Sequence, residues 1–173
     1  MKNLSLIALM CILCTLSTKS IAQKCDLDVD KVDLFSKDHI RSSQNNIGPK
    51  RDRWKLILQR TNDKYSWEMV IVYGVDVPKS IQKGESIAIR LENGNIITLV
   101  VDGEYPPVRS IGNMQILTHF QPKGELTEAD MKKISESPIT NMKTNLFGYS
   151  NEIEVTSKQG EAIEETAKCL LKP

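Results

Sequence analysis

The stretch "RWKLILQRTNDKYSWEMVIVY", residues 53–73, decides the fold. Two apolar-rich segments of strand length flank Asn62-Asp63, residue types that bond their own backbone and tolerate left-handed conformations, as turns require. A turn there sets Leu58 opposite Trp67, Leu56 opposite Met69 and Trp54 opposite Ile71 on one face. Lys55, Gln59, Ser66 and Glu68 fall on the other face, together with Ile57 and Val70. Side chains alternate across a strand, so this pattern describes an antiparallel hairpin with one apolar face that a second layer must cover.

Working outward, "ESIAIRLENGNIITLVV" (85–101) reads as a second hairpin. Asn93-Gly94 suits a two-residue type I′ turn, in which both central residues take positive φ. That register pairs Leu91 with Ile96, Ile89 with Thr98 and Ile87 with Val100, and puts Arg90 with Ile97 and Ala88 with Leu99 on the other face. Because "IITLVV" is apolar on both faces, it is expected to be a central strand covered on each side. Upstream, "DLDVDKVDLF" alternates as an edge strand, and "SKDHIRSSQNNIGP" reads as loop from its Ser, Asn, Gly and Pro. Downstream, "DGEYPPVRSIGN" is a loop, its Pro106-Pro107 pair excluding regular structure, and "MQILTHF" is a strand.

"LTEADMKKISESP" carries helix signals: Thr127 as N-cap, Asp130 three residues on, and Pro138 beyond the end. "ITNMKTN" and "NEIEVT" form two more strands around a turn at 147–150, and "GEAIEETAKCLLK" closes the chain as a helix with Ile163, Ala167 and Leu170 on one stripe. The expected fold is mainly β within the α+β class: a single β-sandwich or open barrel of about six to seven antiparallel strands, with a short helix near 127–136 and a C-terminal helix near 158–171.

The first 22 residues have the layout of a secretory signal peptide: an early lysine, an uncharged apolar run from Leu4 to Leu16, and small residues at Ser20 and Ala22. The run is too short to span a bilayer, so cleavage after Ala22 and a periplasmic or secreted domain over 23–173 are expected. The leader takes Lys2 and Lys19 from the 23 basic residues, leaving 21 against 22 acidic. So even a balance argues against capture of nucleic acid or an anionic membrane surface. Of four cysteines the leader removes Cys11 and Cys14; Cys25 and Cys169 remain, expected as a disulfide in an oxidising compartment. Gln23 and Lys24 precede Cys25, against a lipid anchor on it.

This order of elements, the "LTEADMKKISESPIT" helix leading into a strand and a C-terminal helix with a late cysteine, resembles small exported β-rich domains of Bacteroidetes-type bacteria over most of residues 50–171. Their "SIAQ"-like cleavage region is similar too. The resemblance implies a fold and a compartment, and carries no activity from which a catalytic residue transfers.

Acids at 26, 28 and 30 begin like a calcium loop, but Lys31 and Lys37 stand where such a loop wants Gly and Glu, leaving a polar strand face and no expected metal. His39 and His119 have no nucleophile or acid at motif spacing, no glycine-rich phosphate loop occurs, and no catalytic residue or cofactor is expected. Arg41, Lys50, Arg51 and Arg53 are candidate contacts to a partner protein, against the alternative of a solvated face around Asp52. Trp54, Trp67 and Tyr105 are candidate ligand-lining aromatics, with core burial of both tryptophans as the competing reading. The expected function is a non-enzymatic exported module that binds another protein, of inhibitor or immunity type. The alternative is a β-domain for a small hydrophobic ligand or glycan.

Overall fold

A computed structural model describes residues 25–48, 54–112 and 115–173. The expected leader and the mature N-terminus expected at Gln23 lie outside the described residues, as do Lys50, Arg51 and Arg53. In chain order the elements are β1 (Val29–Val32), β2 (His39–Ile47), β3 (Trp54–Thr61), β4 (Lys64–Tyr73), β5 (Ser86–Leu91), β6 (Ile96–Val100), β7 (Val108–Gly112), β8 (Gln115–Phe120), β9 (Lys123–Leu126), α1 (Glu128–Glu136), β10 (Ile139–Leu146), β11 (Tyr149–Glu154) and α2 (Ser157–Leu171). The larger sheet runs β1-β2-β3-β4-β8-β7, with β9 also bonded to β4, and the smaller one runs β11-β10-β5-β6. The mainly-β class holds, with eleven strands among the described residues in place of six or seven.

The β3–β4 hairpin has the expected register: Leu56 faces Met69, Leu58 faces Trp67, and Thr61 and Lys64 flank Asn62, which takes φ +54°. Its apolar face packs into the core with Ile87, Ile89 and Leu91 of the smaller sheet. Each such side chain, fully buried, contributes about 1.5–3 kcal/mol. The second hairpin differs by one residue. Its loop holds Glu92, Asn93 and Gly94, closed by Gly94 N–H to the Leu91 carbonyl (3.0 Å) and Leu91 N–H to the Asn95 carbonyl (2.9 Å), with Gly94 at φ +87°. Three-residue loops place a glycine this way. The resulting pairs are Ile89 with Ile97 and Ile87 with Leu99. Ile97, Leu99 and Val101 are buried, while Ile96 and Val100 are exposed. β6 is an edge strand with one covered face, not the expected central one.

Two stretches read as loop are strands. "HIRSSQNNI" forms β2, paired with β3 from Ile40↔Thr61 to Ile47↔Trp54. Tertiary pairing overrides its poor β-propensity because its buried polar groups find partners: Ser43 Oγ donates to Asp28 (3.2 Å) and Asn45 Nδ2 to Thr166 Oγ1 (3.3 Å). "VRSIG" forms β7, paired with β8. The helices follow their caps. The Thr127 hydroxyl accepts from the Asp130 N–H, and Thr156 and Gln159 form a reciprocal capping box. α2 buries Ile163, Ala167 and Leu170 against β2, β3 and β10. Its Cys169 is joined to Cys25 by a disulfide with Cα atoms 5.5 Å apart.

Candidate functional site

The sheet ends on an arm. β8 pairs with β4 only through Thr118, His119 and Phe120, whereas its ladder with β7 continues to Gly112↔Gln115. The root of the arm is fixed by Thr118, fully buried, whose hydroxyl donates to the Val75 carbonyl (2.7 Å) and accepts from the Val77 N–H (3.1 Å). Beyond that root the arm leaves apolar side chains open: Ile111 and Ile116, paired on one face, are 85% and 45% exposed, and Val108, on the opposite face, 63%. Soluble surfaces seldom turn strand-borne valine and isoleucine outward without use. Among the described residues β7 is terminal in its sheet, so one row of its backbone groups has no strand partner there.

On one side of this arm lies a groove of about 660 Å³ lined by Glu68, Tyr105, Val108, Ser110, His119 and Lys123. Val108 stands opposite His119, which places Ser110 diagonally across, and Ser110 Oγ lies 2.7 Å from His119 Nε2. Their separation in sequence hid this contact, since "VRSIG" read as loop. The Tyr105 hydroxyl donates to the Asp102 carboxylate, and burial, reinforced by that bond and charge, pushes its phenol up to about 12. Leu34 and Phe35 form a second exposed apolar pair, on a turn in which Asp33 accepts from the N–H groups of Phe35 and Ser36 (2.8 Å each).

No protein-family model, curated protein or solved structure matches this chain. The site is therefore read from its own geometry.

Most of the residues singled out in the sequence lie elsewhere. Arg41 is 7% exposed and turned inward, donating to the carbonyls of Cys169 (2.9 Å) and Lys172 (2.7 Å). A helix C-terminus presents unpaired carbonyls and partial negative charge, so the guanidinium is drawn there and not toward a partner. Arg60, which the sequence reading passed over, joins it with bonds to Leu170 O (3.0 Å) and Lys172 O (2.7 Å). Trp54 and Trp67 are 4% and 1% exposed within the core; burial of their large apolar rings outweighs display. Tyr105 lines the groove beside the arm.

The acids ahead of and within β1 are engaged by β2. Asp28 accepts from the Gln44 N–H (2.6 Å), and Asp30 lies 2.6 Å from His39 Nε2. Among the described residues no three His, Cys, Asp or Glu side chains gather as a metal set, and no helix is long and apolar enough to cross a membrane.

Proposed function

We propose that this chain is an exported, non-enzymatic module of the cell envelope that binds another protein through the β7–β8 arm. The carrying observation is that the terminal strand β7 and its partner leave the Ile111–Ile116 pair exposed on one face and Val108 on the other, on a ladder whose outer edge is free among the described residues. A partner strand added along β7 would complete backbone hydrogen bonds while those side chains supply apolar contact. An inhibitor or immunity-type role fits a surface of this kind. The Cys25–Cys169 disulfide is compatible with the oxidising compartment that export implies.

The Ser110–His119 contact supports no hydrolytic reading. Among the described residues, the histidine's one hydrogen bond is to Ser110 and no carboxylate orients its other nitrogen, so the pair lacks the third member of an activated nucleophile. The test is capture from an envelope extract with a photocrosslinker at position 109, comparing the otherwise unaltered chain with one that also carries Val108→Asp and Ile111→Asp. A discrete crosslinked partner lost in the variant supports the reading. An identical set of captured proteins from both overturns it.

A further inference from the structure

Where the two sheets open, beyond the end of β4, lies a second groove of about 420 Å³. One wall is the segment after β4, with Val77, Pro78 and Lys79; the other is the β10–β11 hairpin, with Leu146, Phe147 and Tyr149. Tyr73 also lines it. Phe147 is the informative residue. It takes φ +58° next to Gly148 at φ +78°, in the two-residue turn between Leu146 and Tyr149. Asn or Gly is the favoured residue at such a position, and a bulky side chain there is strained. The ring is kept nonetheless, 5.1 Å from Phe120 and 6.1 Å from Tyr73 between centroids. Strain of this kind persists where surroundings or function demand it.

The polar side chains of this groove are Tyr73, Asp76, Lys79, Thr144, Tyr149 and Asn151. The Tyr73 hydroxyl makes no hydrogen bond within the described chain, and burial of that side chain pushes its phenol up to about 12, which keeps it a donor. Lys79 pairs with no carboxylate and rests against the Tyr149 ring at 5.8 Å. The neighbouring Asp76 is already held by Arg109 Nε of β7 at 2.7 Å. Thr144 donates to the Asn151 carbonyl, so the trough offers an anion a cation at Lys79 and donors at the Tyr73 hydroxyl and the Asn151 amide. We infer that this groove binds an amphipathic monocarboxylate, its apolar body on Phe147, Leu146 and Val77 and its carboxylate taken by Lys79 and the Tyr73 hydroxyl.

This site is distinct from the β7–β8 arm and does not depend on its role. The probes are decanoate, 3-phenylpropionate and 1-decanol, titrated calorimetrically into the disulfide-bonded chain. Trp54, edge-on to Tyr73 at 6.1 Å, serves as a fluorescent reporter. Expected are saturable one-to-one binding of an acid and at least tenfold weaker binding of decanol. Preference for decanoate or for 3-phenylpropionate distinguishes an acyl from an aryl body. Lys79→Gln, at an exposed position, should bring decanoate to the decanol level, and Phe147→Asn, which suits the turn, should weaken acid binding at least tenfold. Equal binding of decanoate and decanol, indifference to Lys79→Gln, or no saturation by any acid below about 1 mM would each overturn the assignment.

Discussion

A methyl group added at Gly124 tests how the two sheets meet. A Cβ there would lie 2.2 Å from the Val100 carbonyl oxygen and 2.8 Å from Trp67 Nε1. Even a close Cα–H to oxygen contact keeps about 3.3 Å between the heavy atoms. The sheets must therefore separate by about an ångström at this point. The separation would break the Asp102 N–H to Lys123 carbonyl bond, 3.1 Å long, which ties the strands one residue away. Overpacking costs about 1–3 kcal/mol. The lost hydrogen bond adds about 0.5–1.5 kcal/mol. Gly124→Ala is thus expected to destabilise by about 2–4 kcal/mol, a fall in Tm of about 5–15 °C for a chain of this size. Without the contact the sign reverses, because Gly→Ala in an unstrained strand stabilises by about 0.4–1 kcal/mol. Gly74→Ala is the control: nothing lies within 4 Å of its Cβ position. Urea and thermal unfolding of both variants with the disulfide intact give the answer. A Gly124→Ala chain as stable as the Gly74→Ala one would refute the inter-sheet contact.

Three further outcomes are expected. Replacing both Cys25 and Cys169 by Ala releases a clasp with a sequence separation of 144, and should cost about 4–5 kcal/mol by urea unfolding; a loss under about 1 kcal/mol would contradict the chain-entropy account. Arg41→Met should destabilise by about 2 kcal/mol without altering partner capture, and Arg41→Lys should recover only part, since one ammonium cannot reproduce the planar fork. Were Arg41 a partner contact, the pattern would be the opposite. At Asp130 burial alone would raise the carboxyl, but bonds from Thr127 and Lys133 outweigh it and hold the group below its usual 3.8. A depressed folded-state value stabilises above the unfolded-state value and is lost as pH falls through the folded one. The Tm advantage over Asp130→Asn should therefore be full at neutral pH, begin to fall near the unfolded-state value of about 3.9 and be lost only below the folded-state one; an advantage independent of pH would refute it.

The first hairpin was legible because turn chemistry and alternation agree: Asn62 takes positive φ, and the apolar residues fall on one face. In the second, "ENGN" accommodates either a two- or a three-residue loop, and the choice is made by burial. The longer loop puts Ile97, Leu99 and Val101 inside together, where the shorter would bury Ile96, Thr98 and Val100. Local sequence ranks the two turns the other way, and one residue of register exchanges the faces. β2 escaped notice since its stabilising partners, Thr166 and the Cys169 carbonyl, lie more than a hundred residues away. The same distance misled the reading of Arg41, whose charge has meaning only once α2 ends beside it. The arm was hidden by Pro106-Pro107 and by polar neighbours, and with it the Ser110–His119 contact, which exists only across a ladder.

The arm's exposure is nevertheless bound to the core. β9 and β8 pair with β4 in one unbroken register, Tyr65↔Leu126 to Glu68↔Lys123 and then Ile71↔Phe120 to Tyr73↔Thr118, although Gln121-Pro122 stands between them. Pro122 has no N–H to give, but its carbonyl still accepts from Met69 at 2.9 Å. A two-residue slip of the arm would carry Pro122 or Leu126 into the place of Gly124, where no Cβ fits, and would pull Phe120 from its buried position. The outward side chains of Val108 and Ile111, on opposite faces of β7, are thus held in register through β8 by a glycine in β9. Two variants separate the roles. Ile111→Asp should abolish partner capture while changing Tm little, because its side chain is 85% exposed. Gly124→Ala should lower Tm and weaken capture together, because displacing β9 moves β8. If Gly124→Ala lowered stability yet left capture intact, the arm would be mechanically independent of the core, and the unbroken register would not be what orients it.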